Sequence, residues 1–117
     1  MSAIVFSGCR IFDGLKMLPG VALGLGSDLI GPLHEHQAME LILRAEVTLP
    51  AEALRAATRT NAALLQMEGE LGTIATGAIA DLLLVDGDPL ADLDLFQHQG
   101  AHLSVIMKAG SLHKCTL

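Results

Sequence analysis

Asp28 is the residue whose neighbours give it the most chemistry to do. It closes Leu23-Gly24-Leu25-Gly26-Ser27-Asp28, an apolar run broken by glycines and ending in a single carboxylate. At the end of a strand, such a carboxylate can ligate a divalent ion. It can also take a proton from a metal-bound water, whose pKa the ion lowers to about 7. The same spacing fits a helix or turn cap ahead of residues 29–32, and on spacing alone the cap is the simpler reading.

His34-Glu35-His36 reads as His-x-His and follows Asp28 closely. On a helix, residues i and i+2 point about 200° apart and cannot converge on one ion; in an extended segment they can. The bland reading is a solvated loop and helix start, and a new metal site from His34, His36 and Asp28 is the minority one. Gly24, Gly26 and Gly31 lack the spacing of a dinucleotide loop and the Lys-Ser/Thr of a P-loop. Asp81, Asp86, Asp88, Asp92 and Asp94 lack the closing Glu and central Gly of a calcium loop, so they read as solvated. Thr58 and Asn61 are expected to hydrogen-bond nearby backbone where a helix meets a sheet. His98, His102 and His113 are dispersed and carry no assignment. Cys9 and Cys115 lie near opposite ends, making neither a disulfide framework nor a zinc knuckle, and are expected to be buried or idle thiols.

The elements that must position these residues follow from hydrophobic spacing. Ala3-Ile4-Val5-Phe6 and Cys9-Arg10-Ile11-Phe12 fit two short strands, with Ser7-Gly8 between them and an Asp13-Gly14 turn signal after. Val21-Ala22-Leu23-Gly24-Leu25 lacks polar alternation, which suits a strand buried on both faces. Residues 34–47 turn helical, with a buried stripe of Ala38, Met39, Ile42, Leu43 and Ala45 and a supporting Glu40–Arg44 pair. Pro50 and Glu52 open a second helix running to about Gln66, with Leu54, Ala57, Thr58, Ala62 and Leu65 inward. After a turn at residues 68–72, Leu82-Leu83-Leu84-Val85 is an apolar strand. Val105-Ile106-Met107 and Leu112-His113 flank a closing hairpin turn at residues 108–111.

Composition narrows the classes. A chain of 117 residues is one domain or a piece of a larger one, far short of the roughly 200 residues a (β/α)8 barrel needs. Only 17% of residues are charged, against about 25% usually, so an exposed apolar patch covered by a partner or another copy is expected. A net charge of -6 with scattered basic residues disfavours nucleic acid. Residues 17–33, the most apolar run, are interrupted by Pro19, Asp28 and Pro32, so no membrane span is expected. With no secretory signal at the start, a cytoplasmic location is expected.

Gly26-Ser27-Asp28, then Leu71-Gly72-Thr73-Ile74, then Gly77-Ala78-Ile79-Ala80-Asp81-Leu82 occur in an order that resembles the C-terminal end of a metal-dependent amidohydrolase. The likeness is to the Xaa-Pro dipeptidase (prolidase) branch. It covers nearly the whole chain, with a break near residues 15–17 where the family normally places most of its barrel. Ala78 stands where lysine is common. The resemblance implies that Asp28 ends the last barrel strand, ligates a metal and handles a proton of the attacking water. It also implies a divalent metal, zinc first, and a small amide or dipeptide substrate in the full family. The family's His-x-His pair of the first strand, its bridging lysine and its later histidines have no counterpart here. One aspartate is a poor site for a divalent ion, because catalytic zinc needs about three protein ligands. The metal is therefore expected of the full family and not of this chain by itself.

The resulting expectation is an α+β fold: a small β-sandwich remnant, two helices and one terminal barrel strand of an incomplete TIM barrel. Residues 1–14 and 71–117 would supply the sandwich, and residues 18–70 the barrel strand and helices. The expected function is that of a truncated amidohydrolase acting on amide or peptide C–N bonds through metal-activated water, inactive alone. The alternative is a non-catalytic oligomerising or interaction module, and self-association is expected of either.

Overall fold

A computed structural model describes residues 22–117 together with two short strands before them, β1 (Ile11–Phe12) and β2 (Met17–Leu18). These two pair antiparallel, Ile11 opposite Leu18 and Phe12 opposite Met17, on either side of the Asp13-Gly14 turn signal. The strand expected at Ala3-Ile4-Val5-Phe6 and the residues around Cys9 lie outside the described part. A separate antiparallel sheet has the order β3-β4-β5: β3 (Leu82–Val85), β4 (Leu103–Lys108) and β5 (Ser111–Cys115). Both sheets and the helices fit the expected α+β class.

The β4–β5 hairpin turns through Ala109 and Gly110 at φ 47° and 80°, so both central residues are left-handed, as a two-residue hairpin requires. Asp81 fixes this turn from outside. Its Oδ1 accepts the Ala109 N–H at 2.7 Å, Lys108 Nζ lies 3.4 Å from its Oδ2, and Gly110 N–H donates to the Ala80 carbonyl. The Ala109 N–H holds the Asp81 carboxyl below the usual carboxylate range; partial desolvation opposes this, and Lys108 adds to it. A carboxyl whose folded pKa lies below its unfolded value stabilises the fold above that value. The contribution is lost as pH falls through the lower, folded one. Thermal stability should therefore fall below about pH 4 more steeply in the wild type than in Asp81→Ala. Superimposable melting-temperature profiles for the two proteins would remove Asp81 from this role.

The acidic run is only partly the expected solvated loop. Asp88 Oδ1 accepts the Leu90 N–H and Asp92 Oδ1 the Asp94 N–H, each at 2.9 Å, so these carboxylates shape turns. Asp92 thereby caps the short 3-10 turn Leu93–Phe96.

The helical half departs further from expectation. The single helix over residues 34–47 is a 3-10 turn, Gly31–His36, followed by α1 (Met39–Ala45). Gly31 begins the turn, Pro32 follows with no N–H to satisfy, and the side chain of Ile30 at the N-cap supplies no hydrogen bond to the first N–H groups. α1 packs on α2 (Pro50–Arg55) and on the 3-10 turn Leu93–Phe96. Ala38, Leu41, Ile42 and Ala45 are half-buried, whereas Met39 and Leu43, expected inside, are exposed. The packed stripe is therefore rotated from the expected one, and it takes in Leu41. Glu40 is not paired with Arg44 as expected; it reaches backwards to Gly26.

α2 continues through a π-helical turn, Ala56–Thr60, into α3 (Asn61–Leu64). A π turn inserts a residue, which swings everything after it by about 100°. Of the positions expected inside, Ala62 is buried and Leu54 and Ala57 half-buried, whereas Thr58, within the π turn, and Leu65, after it, are exposed; Ala53 and Ala56 complete the buried set. Thr58 Oγ1 donates to the Leu54 carbonyl at 2.7 Å, a bond that bends helices. The described core is thin: Leu93 and Leu103 join the three alanines, and Ile30, Leu33, Leu83, Leu84 and Leu112 are all more than half exposed or close to it.

Candidate functional site

The apolar run ending in Asp28 is not a strand. Val21 lies outside the described residues, and residues 22–30 form no ladder with another described segment. A strand needs a partner for its N–H and C=O groups, and here a side chain takes that place. Asn61 Oδ1 accepts the Leu25 N–H at 2.9 Å, and Asn61 Nδ2 donates to the Leu25 carbonyl at 2.7 Å. One residue on, the Gly26 N–H donates to Glu40 Oε1 at 3.2 Å. The chain then passes half-buried Ser27 and reverses at Asp28, an exposed residue at φ 51°. Aspartate is among the few non-glycine residues that tolerate this left-handed conformation.

Gly26, Ser27 and Leu29 line one wall of a concave space of about 490 Å³; Leu33, His36, Met39, Glu40 and Leu43 line the rest. Asp28 thus sits between two wall residues, beside a largely apolar hollow. That combination suits a small ligand with an apolar body and a polar end. Glu40 Oε2 is buried without a hydrogen-bond partner among the described residues, and so are Nε and Nη1 of Arg44.

His34 and His36 lie on the 3-10 turn and are exposed. His36 Nε2 stands 3.4 Å from Glu35 Oε1, so its nearest acidic partner is its own neighbour. Among the described residues, no three or more His, Cys, Asp or Glu side chains come together as a group able to hold a metal ion. A single exposed carboxylate and two solvated histidines do not by themselves make the donor set a catalytic ion needs. Cys115, expected to be buried or idle, is an exposed free thiol on β5. No helix among the described residues is long and apolar enough to cross a membrane.

Spacing in the sequence gives Asn61 a backbone contact but not its partner, 36 residues away. The same spacing offers Glu40 as one half of a surface pair. Its contact with Gly26 has no local signal, because it links residues 14 apart through irregular chain.

Comparison with known proteins agrees with the resemblance. The family model described as the Amidohydrolase family matches residues 7–112. The chain is similar to an imidazolonepropionase from Rubrobacter xylanophilus, 30% identical over 95% of this chain and 29% of that protein. Among solved structures it is similar to a prolidase complexed with N-methylphosphonate-L-proline, 46% identical with a TM-score of 0.74. That likeness covers 79% of this chain and 22% of the prolidase. It is also similar to an amidohydrolase, 43% identical with a TM-score of 0.81, over 84% of this chain and 24% of the other. The chain thus spans less than a third of the length of each relative. Matched over residues 7–112, and similar in fold to prolidases at up to 46% identity, the chain belongs to the amidohydrolase family.

Proposed function

We propose that this chain carries the Asp28-bearing part of a metal-dependent hydrolase of amide or peptide C–N bonds, of prolidase type, and that alone it is inactive. The observation that carries this reading is the Leu25–Asp28 segment, held by Asn61 and Glu40 beside an apolar hollow. The 46% identity to a prolidase supports the substrate class, an acyl-proline dipeptide. In such a hydrolysis water adds to the carbonyl carbon, the C–N bond breaks, and a proton moves from the water to the leaving nitrogen. Asp28 is suited to carry that proton, because it is an exposed residue between Ser27 and Leu29, both of which line the hollow. Residues 18–70 are the site-bearing part of this proposal, the Asp28 segment and the helices that follow it, which in a complete barrel would be its last strand and helices. Residues 71–117 carry its three-stranded sheet, β1 and β2 form its other sheet, and the cytoplasm is its location.

An ion, zinc first, would require ligands beyond those that the described residues bring together, which is why inactivity alone is expected. The test is zinc content after loading the chelator-stripped chain, together with hydrolysis of an acyl-proline dipeptide, in wild type, Asp28→Ala and the double variant His34→Ala/His36→Ala. The expected outcome is no turnover, with weak zinc uptake that Asp28→Ala lowers by at least about tenfold. One tightly held ion per chain with measurable turnover would overturn inactivity. If both variants also lost that ion, His34 and His36 would be ligands.

A second reading, a non-catalytic oligomerising module, is favoured by the exposed Ile30, Leu33 and Leu43 around the hollow and by Leu83, Leu84 and Leu112 on the sheet. It predicts a discrete oligomer by sedimentation. A monodisperse monomer at about 100 μM would dismiss it.

A further inference from the structure

We propose that Asn61 is a positioning residue for Asp28: its amide pairs with the Leu25 backbone as a neighbouring strand would and fixes the segment that presents the carboxylate. This rests on the reading of Asp28 given above, and it names what holds that site in place.

The chemistry of the amide is what suits it to this task. A backbone position in a ladder needs one acceptor for its N–H and one donor for its C=O, side by side. Among side chains uncharged at pH 7, Asn and Gln offer both side by side in one plane. Asn61 uses both on Leu25, at 2.9 and 2.7 Å, and its Nδ2 also lies 3.5 Å from the Ala57 carbonyl of its own helix. Leu25 is thereby held as a paired strand residue would be, with no strand beside it among the described residues.

Three further features converge on this contact. The π-helical turn Ala56–Thr60 ends immediately before Asn61 and sets the direction from which that residue leaves the helix. Gly24 leaves the space that Asn61 occupies: a Cβ there would collide with Asn61 Oδ1 and stand 2.7 Å from Leu64 Cδ1. Glu40 adds a second anchor at the Gly26 N–H. Between them, Asn61 and Glu40 secure two consecutive residues. Only Ser27 then separates the anchored chain from Asp28.

Without these anchors the segment would be loose, since Gly24 and Gly26 both lower its stiffness and no ladder among the described residues restrains it. A working carboxylate must be held within about 0.5 Å of its productive position, which a free glycine-rich loop does not provide. Asn61 touches neither substrate nor reacting atoms in this scheme. It acts through Leu25.

The experiment is NMR on the full chain, comparing wild type with Asn61→Leu and Asn61→Asp. In Asn61→Leu the hydrogen-exchange protection of the Leu25 amide should fall about fivefold or more. The Ser27 and Asp28 amides should drop from rigid order parameters, about 0.85, to below about 0.6, while α1 amides stay rigid. Asn61→Asp supplies a conservative rescue. Its carboxyl can donate to the Leu25 carbonyl only when protonated, so Leu25 protection should recover as pH falls through the carboxyl's own range, from about pH 6 down to about pH 4. A merely structural asparagine would not give that pH profile.

If a folded Asn61→Leu keeps Leu25 protected and Asp28 rigid, the proposal is wrong. Should Asn61→Leu not fold, an absence of pH recovery in Asn61→Asp overturns it equally. Zinc uptake separates this proposal from the one beneath it. Wild type and Asp28→Ala taking up the same zinc would refute the role of Asp28, while loss of order in Asn61→Leu would still establish the clamp.

Discussion

Gly72→Ala is expected to destabilise the fold by about 2–4 kcal/mol and to lower its melting temperature by roughly 10 °C or more. Two costs add at this position. Gly72 has φ +67°, a left-handed conformation that costs an L-residue about 1–2 kcal/mol. Its Cβ would also stand 2.5 Å from the Thr58 carbonyl oxygen, 2.6 Å from the Thr58 carbonyl carbon and 3.0 Å from the Arg59 nitrogen. These are backbone atoms of the π-helical turn, so no rotamer change relieves the overlap.

The contact matters because Gly72 joins the loop before β3 to the helix that carries Asn61. If the loop is pushed away, the π turn loses its backing and the residue after it loses its aim. Gly69 supplies the control: its φ is +85° and nothing lies within 4 Å of where a methyl group would stand, so Gly69→Ala carries the backbone cost alone. Thermal denaturation followed by circular dichroism should rank Gly72→Ala well below Gly69→Ala. Equal melting temperatures would mean that the loop does not bear on the helix.

Particular residues show what is legible in the sequence and what is not. Leu82-Leu83-Leu84-Val85 reads as a strand and is β3, and the closing hairpin forms where turn residues interrupt apolar runs. These are local signals: β-branched or leucine runs bounded by residues that accept positive φ. The second helix is legible in extent and only in part in phase, since Ala62 is buried as expected while Thr58 and Leu65 are exposed. Its π turn lies where Thr58 bonds back to Leu54 and where Gly72 approaches closely, and neither contact leaves a period in the sequence.

The site shows the same division. Asp28 stands out through the Gly-Ser-Asp motif, while its two anchors do not, because Leu25–Asn61 and Gly26–Glu40 are contacts between distant segments. The strand expected at residues 21–25 fails for a related reason. Apolar content and glycine spacing describe a segment fit to be buried between neighbours, but not whether those neighbours are present.

Gly24→Ala is the second change expected to have a large effect, and it tests whether this glycine is there for the side chain opposite. The new methyl would meet two atoms of different freedom. Leu64, 60% exposed, can rotate its Cδ1 outward, but Asn61 Oδ1 cannot retreat without releasing Leu25. The cost is then two hydrogen bonds of about 0.5–1.5 kcal/mol each, so a loss of about 1–3 kcal/mol is expected. Gly26→Ala, with nothing within 4 Å of its Cβ, should stay near neutral. If the Asn61 contact is the reason, the two positions must couple. In an Asn61→Ala background Gly24→Ala should cost little, and a double-mutant cycle should return about 0.5–3 kcal/mol of interaction. Additive losses would instead assign Gly24 to chain flexibility and uncouple it from the clamp. Coupling would mean that the glycine before Leu25 and the asparagine after the π turn form one device, which presents Asp28 at a fixed place through a side chain where a strand would otherwise pair.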